Sequence, residues 1–213
     1  MREYTHSVYI LLTRTSSILS RLIRALTRAA YTHAALSLDD EFEETYSFTR
    51  RNPRLVWPAG LARENLWRGL YLSRRDPPCR VYRVRLTEEE YLRIQQRVRA
   101  MYADRWHYHY NYIGVAANYF GQQHSSPRRY FCSEFVATMV SIGQDRAALC
   151  PARTRPMDFT KVPEFECVFE GTVGDLRNYI ENCRDFCMTI WEEGEKPYPL
   201  IVSIKEDQNE RGL

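Results

Sequence analysis

Lysine is almost missing from this chain: Lys161, Lys196 and Lys205 stand alone, and arginine supplies the rest of the 30 basic side chains. The planar guanidinium suits paired hydrogen bonds to carboxylate or phosphate, while a solvated arginine-rich face is the default for so biased a composition. The net charge is only +3, and no reader motif accompanies the basic residues, so no nucleic-acid partner is expected. Long apolar runs are also lacking, which excludes a helix spanning a bilayer. Six cysteines, Cys79, Cys132, Cys150, Cys167, Cys183 and Cys187, show neither a paired rhythm nor a Cys-x-x-Cys spacing. They exclude a disulfide scaffold and suit a reducing cytoplasm. The start, Met1 to Ser7, lacks the basic residues, apolar core and cleavage site of a secretion signal, so a cytoplasmic location is expected. Internal repeats and low-complexity tracts are absent as well.

What is present is enough apolar residue, 44% of 213, for one compact domain, taken as residues 1–205 with a mobile tail over 206–213. Ser7 to Thr13 predicts a buried strand, Ser16 to Ala30 an amphipathic helix with an arginine face, and Arg80 to Leu86 another strand. Thr87-Glu88-Glu89-Glu90 predicts a capping box opening a helix that runs to about Asp104. Arg153 to Lys161 reads as loop, Cys167 to Glu170 as strand, Val173 to Asn182 as helix, and Pro199 to Lys205 as a last strand. The helix from Ser16 packs on the domain's own sheet or makes weak contact with an anionic membrane. Ten arginines lie between Arg50 and Arg85 against Glu64 and Asp76, so charge is concentrated in one half of the chain.

Arg129-Tyr130-Phe131-Cys132-Ser133-Glu134-Phe135-Val136-Ala137 carries the chemistry. It places a cysteine where an aromatic loop turns into an apolar-periodic helix, with Phe135, Val136, Met139 and Val140 on one side. Unpaired N–H groups and the positive end of the helix dipole favour a thiolate there and can hold an oxyanion. The plainer use of Cys132 is a buried cap-region thiol. Tyr31 to Asp39 reads as a strand on which His33 faces inward beside the small Ala35 and Ser37, leaving room for another group. Asp39-Asp40-Glu41 then forms a turn, and Glu44 to Phe48 the returning strand. A strand histidine facing a helix cysteine makes a base and a nucleophile.

These segments resemble the circularly permuted branch of the NlpC-type papain-like cysteine hydrolases, which includes YiiX-like bacterial proteins and lecithin retinol acyltransferase relatives. The carriers are Thr32-His33-Ala34-Ala35-Leu36-Ser37-Leu38-Asp39, Tyr46-Ser47-Phe48 and Phe131-Cys132-Ser133-Glu134-Phe135-Val136, in the branch's order of histidine before cysteine. Tyr110 to Gly114 and Pro163 to Gly171 look similar too, so the likeness spans roughly residues 7 to 177. It implies an α+β papain-like fold with an antiparallel sheet, and thiol-dependent cleavage of an amide or peptide-like bond with Cys132 as nucleophile and His33 as base. Acyl transfer or hydrolysis of a lipid or thioester is the alternative, and a catalytically weak binding module or peripheral membrane protein a further one. The partner implied is a small-molecule, peptide or acyl substrate, with no metal or organic cofactor. Registering the third polar residue of the branch puts Ser47 at the position that orients His33. A serine carries no charge to stabilise an imidazolium, and Glu44 would reach the ring only through a bulge.

Trp106 to Tyr112 is the most aromatic stretch and is expected to wall the cleft, with Tyr110 or Tyr112 offering a hydroxyl to an oxyanion. His107 and His109, with His124 and Cys132, are an alternative zinc set, which would consume the thiolate. Cys183 and Cys187, one helical turn apart, read as core thiols.

Overall fold

The computed structural model describes residues 3–14, 24, 28–51, 58–71, 76–143 and 149–190. It is an α+β structure built on one mixed sheet of eight strands. The strands are β1 (His6–Thr13), β2 (His33–Ser37), β3 (Thr45–Arg50), β4 (Ala59–Glu64), β5 (Pro78–Leu86), β6 (His109–Tyr110), β7 (Arg129–Tyr130) and β8 (Glu166–Thr172), in the order β7-β6-β4-β3-β2-β1-β5-β8. All neighbours run antiparallel except β6 and β7, which are parallel. Among the described residues the longer helices are α1 (Glu88–Ala103), α2 (Tyr112–Tyr119), α3 (Cys132–Gly143) and α4 (Val173–Ile190). No described helix is long and apolar enough to cross a membrane.

The apolar run of β1 follows from burial on both faces. Val8, Ile10 and Leu12 enter one core, while Tyr9 and Leu11 enter the other, as the two-residue period of a strand requires. The first core lies under α1 and α3. Ile94, Val98 and Met101 of α1 meet Phe135, Val136, Met139 and Val140 of α3 there. The second core lies under α4, which contributes Val173, Leu176 and Ile180. Thr87 opens α1 as expected, its hydroxyl accepting from the Glu90 N–H at 3.3 Å while the Glu90 carboxylate accepts from the Thr87 N–H at 2.9 Å. The β2–β3 turn is held by Asp39, whose carboxylate accepts the N–H groups of Glu43 and Glu44 at 2.9 and 2.6 Å.

Several expectations are corrected. Arg153 to Lys161 is not an open loop: it forms two 3-10 segments, Pro151–Arg153 and Pro156–Lys161, each opened by a proline that presets its φ. The strand β4 and the helix α2 were not foreseen, and α4 runs to Ile190 rather than Asn182. The expected helix over 16–30 falls mostly, and the strand over 199–205 and the tail 206–213 wholly, outside the described residues.

At the β7 edge the strands are short, and glycine sets how closely they approach. A Cβ on Gly60 would sit 2.2 Å from the Tyr108 carbonyl oxygen, so β4 meets the start of β6 only because residue 60 has no side chain. That approach brings the aromatic stretch from Trp106 to Tyr112 alongside the sheet, next to the beginning of α3.

Candidate active site

Phe131 is the turning point from β7 into α3: its carbonyl accepts the first helical bond, from the Phe135 N–H at 3.0 Å. Its own N–H donates to the Glu134 carboxylate at 3.2 Å, which is one half of a capping box. Cys132 is therefore the first helical residue, where backbone N–H groups are free to point at an anion. Its side chain is 6% exposed. Ser133 anchors the same turn from the other side, donating its hydroxyl to the Thr154 carbonyl at 2.8 Å. The two 3-10 segments thus clamp the start of α3, and Arg155 extends the clamp to α2 by donating to the Asn118 side chain and carbonyl, both at 2.8 Å.

His33, the first residue of β2, is hydrogen-bonded to the Cys132 sulfur. Its Nε2 donates to Glu64 Oε1 at 2.9 Å, so Nδ1 is the ring nitrogen that faces the thiol. Glu64 is the last residue of β4 and is 6% exposed. Its Oε1 also accepts from the Ser47 hydroxyl, and its Oε2 accepts from the Tyr71 hydroxyl. The registers explain the meeting. Ser47 lies opposite Ala62, and Glu64, two residues further along β4, points to the same face of the sheet.

The expectation for Ser47 is corrected by this arrangement. Ser47 sits on the foreseen strand and face, but the acceptor that takes the His33 ring is Glu64, and Ser47 acts on the carboxylate. A serine side chain is too short to span the gap that a glutamate from the neighbouring strand fills. Glu44 is engaged elsewhere, with Arg99 at 2.8 Å. Asn111 was also passed over as a site residue: it caps α2 by accepting from the Gly114 N–H at 2.8 Å, donates to the His124 carbonyl at 2.9 Å, and hydrogen-bonds Glu134. A Cβ on Gly114 would overlap that amide at 2.2 Å, which is why Asn-x-x-Gly was a usable signal for a side chain folded over a helix start.

The electrostatics follow from the geometry. Burial works against the His33 imidazolium, but the Glu64 carboxylate and the Cys132 hydrogen bond outweigh it and push the pKa up to about 10. Burial likewise raises the Cys132 thiol, and His33, with the Ala34 and Ser133 backbone N–H groups, overcomes it and leaves the thiol below its ordinary value. Glu64 is pulled down by His33, Ser47 and Tyr71 in spite of its burial. Burial and the adjoining Glu64 hold Tyr71 well above the usual phenol range, so it stays a donor. Together these directions describe a thiolate–imidazolium pair backed by a carboxylate. Cys79 and Cys167 shift the other way, raised by burial.

Of the two tyrosines considered for an oxyanion, Tyr110 is the one hydrogen-bonded to Cys132, while Tyr112 is partly exposed on α2. A cavity of about 570 Å³ adjoins Tyr110 and is lined by Asn111, Tyr112, Ile113, Ser126 and Arg129 among others. The alternative zinc set does not assemble: His107 lies in a 3-10 turn bonded to Asp104, and among the described residues no three His, Cys, Asp or Glu side chains gather as a metal site. No protein-family model, curated protein or solved structure matches the chain.

Proposed function

We propose that the chain is a thiol-dependent hydrolase that cleaves an amide or peptide-like bond, with the permuted papain-like arrangement its sequence resembles. The observation that carries the reading is the buried chain Cys132, His33, Glu64 at the start of a helix. The Cys132 thiolate attacks the carbonyl carbon, and the carbonyl electron pair moves to oxygen, which accepts hydrogen bonds from the Cys132 N–H and the Tyr110 hydroxyl. His33 gives its Nδ1 proton to the leaving amine as the C–N bond breaks, leaving a thioester. Water, deprotonated by the same nitrogen, then releases the acid and restores the thiolate. Glu64 keeps the ring in one tautomer and stabilises the imidazolium without itself taking the proton.

The binding-module reading drew its support from the uncharged Ser47, and Glu64 supplies the charge that serine lacks. Acyl transfer from a lipid or thioester is the second reading, favoured by Tyr112, Ile113 and Phe120, which stand exposed on and just beyond α2 beside the site. The test is iodoacetamide labelling of each cysteine against pH, followed by peptide mass spectrometry, in the wild type and His33→Ala. Cys132 should react at a lower pH than the other cysteines and lose that lead in the variant. Ordinary thiol behaviour in both proteins would remove the basis for hydrolase chemistry.

A further inference from the structure

The cavity beside Tyr110 opens between the start of α2 and the segment 124–129. Its size, about 570 Å³, falls within the range of small-molecule sites. Its lining combines Tyr112 and Ile113 with the polar residues Ser125, Ser126 and Arg129. Among the described residues no aspartate or glutamate lines it. Glu134 lies behind Asn111, and burial pushes its carboxyl up to about 7, which blunts its charge. Asp104 is committed to His107.

Cations continue around the rim. Arg129 lies in register beside His109 across β6 and β7. Partial burial lowers the His109 pKa, and the charges that lower it further are those of Arg51, Arg129 and His107, with no acid among them. Burial raises the Tyr112 phenol, and the charge of Arg50, the last residue of β3, is near enough to oppose that rise. A concave, partly apolar site beside Cys132, with one arginine and no carboxylate in its lining and further arginines nearby, is complementary to an anion.

We infer that this cavity recognises a substrate bearing a carboxylate or phosphate, bound by Arg129 with Arg50 at the rim, while the scissile carbonyl reaches Cys132. The inference rests on Cys132 being the nucleophile and names the substrate class of that same site. The guanidinium fork meets either anion through paired N–H···O bonds, and the Ser125 and Ser126 hydroxyls are donors to the remaining oxygens. Tyr112 and Ile113 cover the carbons between the anion and the carbonyl.

The test uses three alkylating probes of equal reach: N-iodoacetyl-β-alanine, N-iodoacetyl-aminoethylphosphonate and the neutral N-iodoacetyl-β-alanine amide. In each, the Cys132 sulfur displaces iodide to form a thioether, and the rate at Cys132 is read by peptide mass spectrometry. At low salt an anionic probe should outrun the neutral one by about tenfold or more, as a charged hydrogen bond of ordinary strength implies. The ratio should fall toward one at high salt and in Arg129→Gln and Arg50→Gln. The faster of the two anionic probes identifies the preferred group. A wild-type ratio of one at low salt, or a ratio that neither arginine variant changes, overturns the anion site. Should Arg129→Gln fail to fold, Arg50→Gln and the wild-type salt series decide the matter. The neutral probe separates the two claims. Slow labelling indifferent to His33→Ala refutes the nucleophile, whereas fast, His33-dependent labelling without a charge preference refutes only the anion site.

Discussion

Replacing Glu64 by glutamine keeps the size of the side chain and an acceptor for the His33 Nε2–H, and removes only the charge. His33 is held from an ordinary 6.5 up to about 10, a lift worth roughly 5 kcal/mol at 1.36 kcal/mol per unit, shared by Glu64 and Cys132. Glu64 is the larger of the two stabilising influences, so the ring in Glu64→Gln should titrate lower than in the wild type. The raised His33 pKa contributes stability that is full below pH 6.5 and disappears as pH climbs through the folded value. Wild type should therefore exceed the variant by about 3 kcal/mol at pH 6, with the gap closing toward pH 10. A less strongly held imidazolium also stabilises the Cys132 thiolate less, so the lead of Cys132 over the other thiols in alkylation should shrink and should fade at a lower pH than in the wild type. The assays are urea unfolding at pH 6 and 9.5 and an iodoacetamide pH–rate profile by peptide mass spectrometry. A variant with the wild-type urea midpoint at pH 6 and the wild-type rate profile would refute the role given to Glu64.

Two further outcomes follow from the same network. Tyr71→Phe deprives the buried Glu64 Oε2 of its donor, and urea unfolding at pH 7 should show a loss of about 1–3 kcal/mol, with the Cys132 profile keeping a lead over the other thiols. Glu134 is raised to about 7 chiefly by burial, so its ionisation opposes folding above its unfolded pKa. Glu134→Gln should gain on wild type between pH 5 and pH 8 by on the order of 3 kcal/mol, read from paired denaturation curves; a constant difference across that range would contradict the assignment.

The parts of the site that were legible in the sequence are those written in one element. Cys132 stood out because the apolar period of α3 begins right after it, and His33 because small residues alternate with it on β2. Glu64 was hidden because Ala59-Gly60-Leu61-Ala62-Arg63-Glu64 is poor in β-branched and aromatic residues. Its strand character comes from the partners on either side rather than from propensity. The resulting misassignment to Ser47 had the right face and the wrong distance. The helix α2 was masked in a similar way, since Tyr112 to Tyr119 contains Gly114 and follows a run of aromatics that reads as extended chain. Its start was nonetheless encoded by Asn111, whose cap and whose contact with Glu134 needed a folded neighbour to be recognised.

The carboxylate side of His33 is closed. Glu64, Ser47 and Tyr71 are each no more than 6% exposed, and His33, Ser47 and Tyr71 together occupy both Glu64 carboxylate oxygens. Turning the imidazole over would strand a buried charge, so the ring works as a one-ended device whose only proton traffic runs through Nδ1. That nitrogen faces the Cys132 sulfur. A bound acyl group that covers the cleft would therefore also isolate the imidazolium from bulk water, and the proton destined for the leaving group would have nowhere else to go.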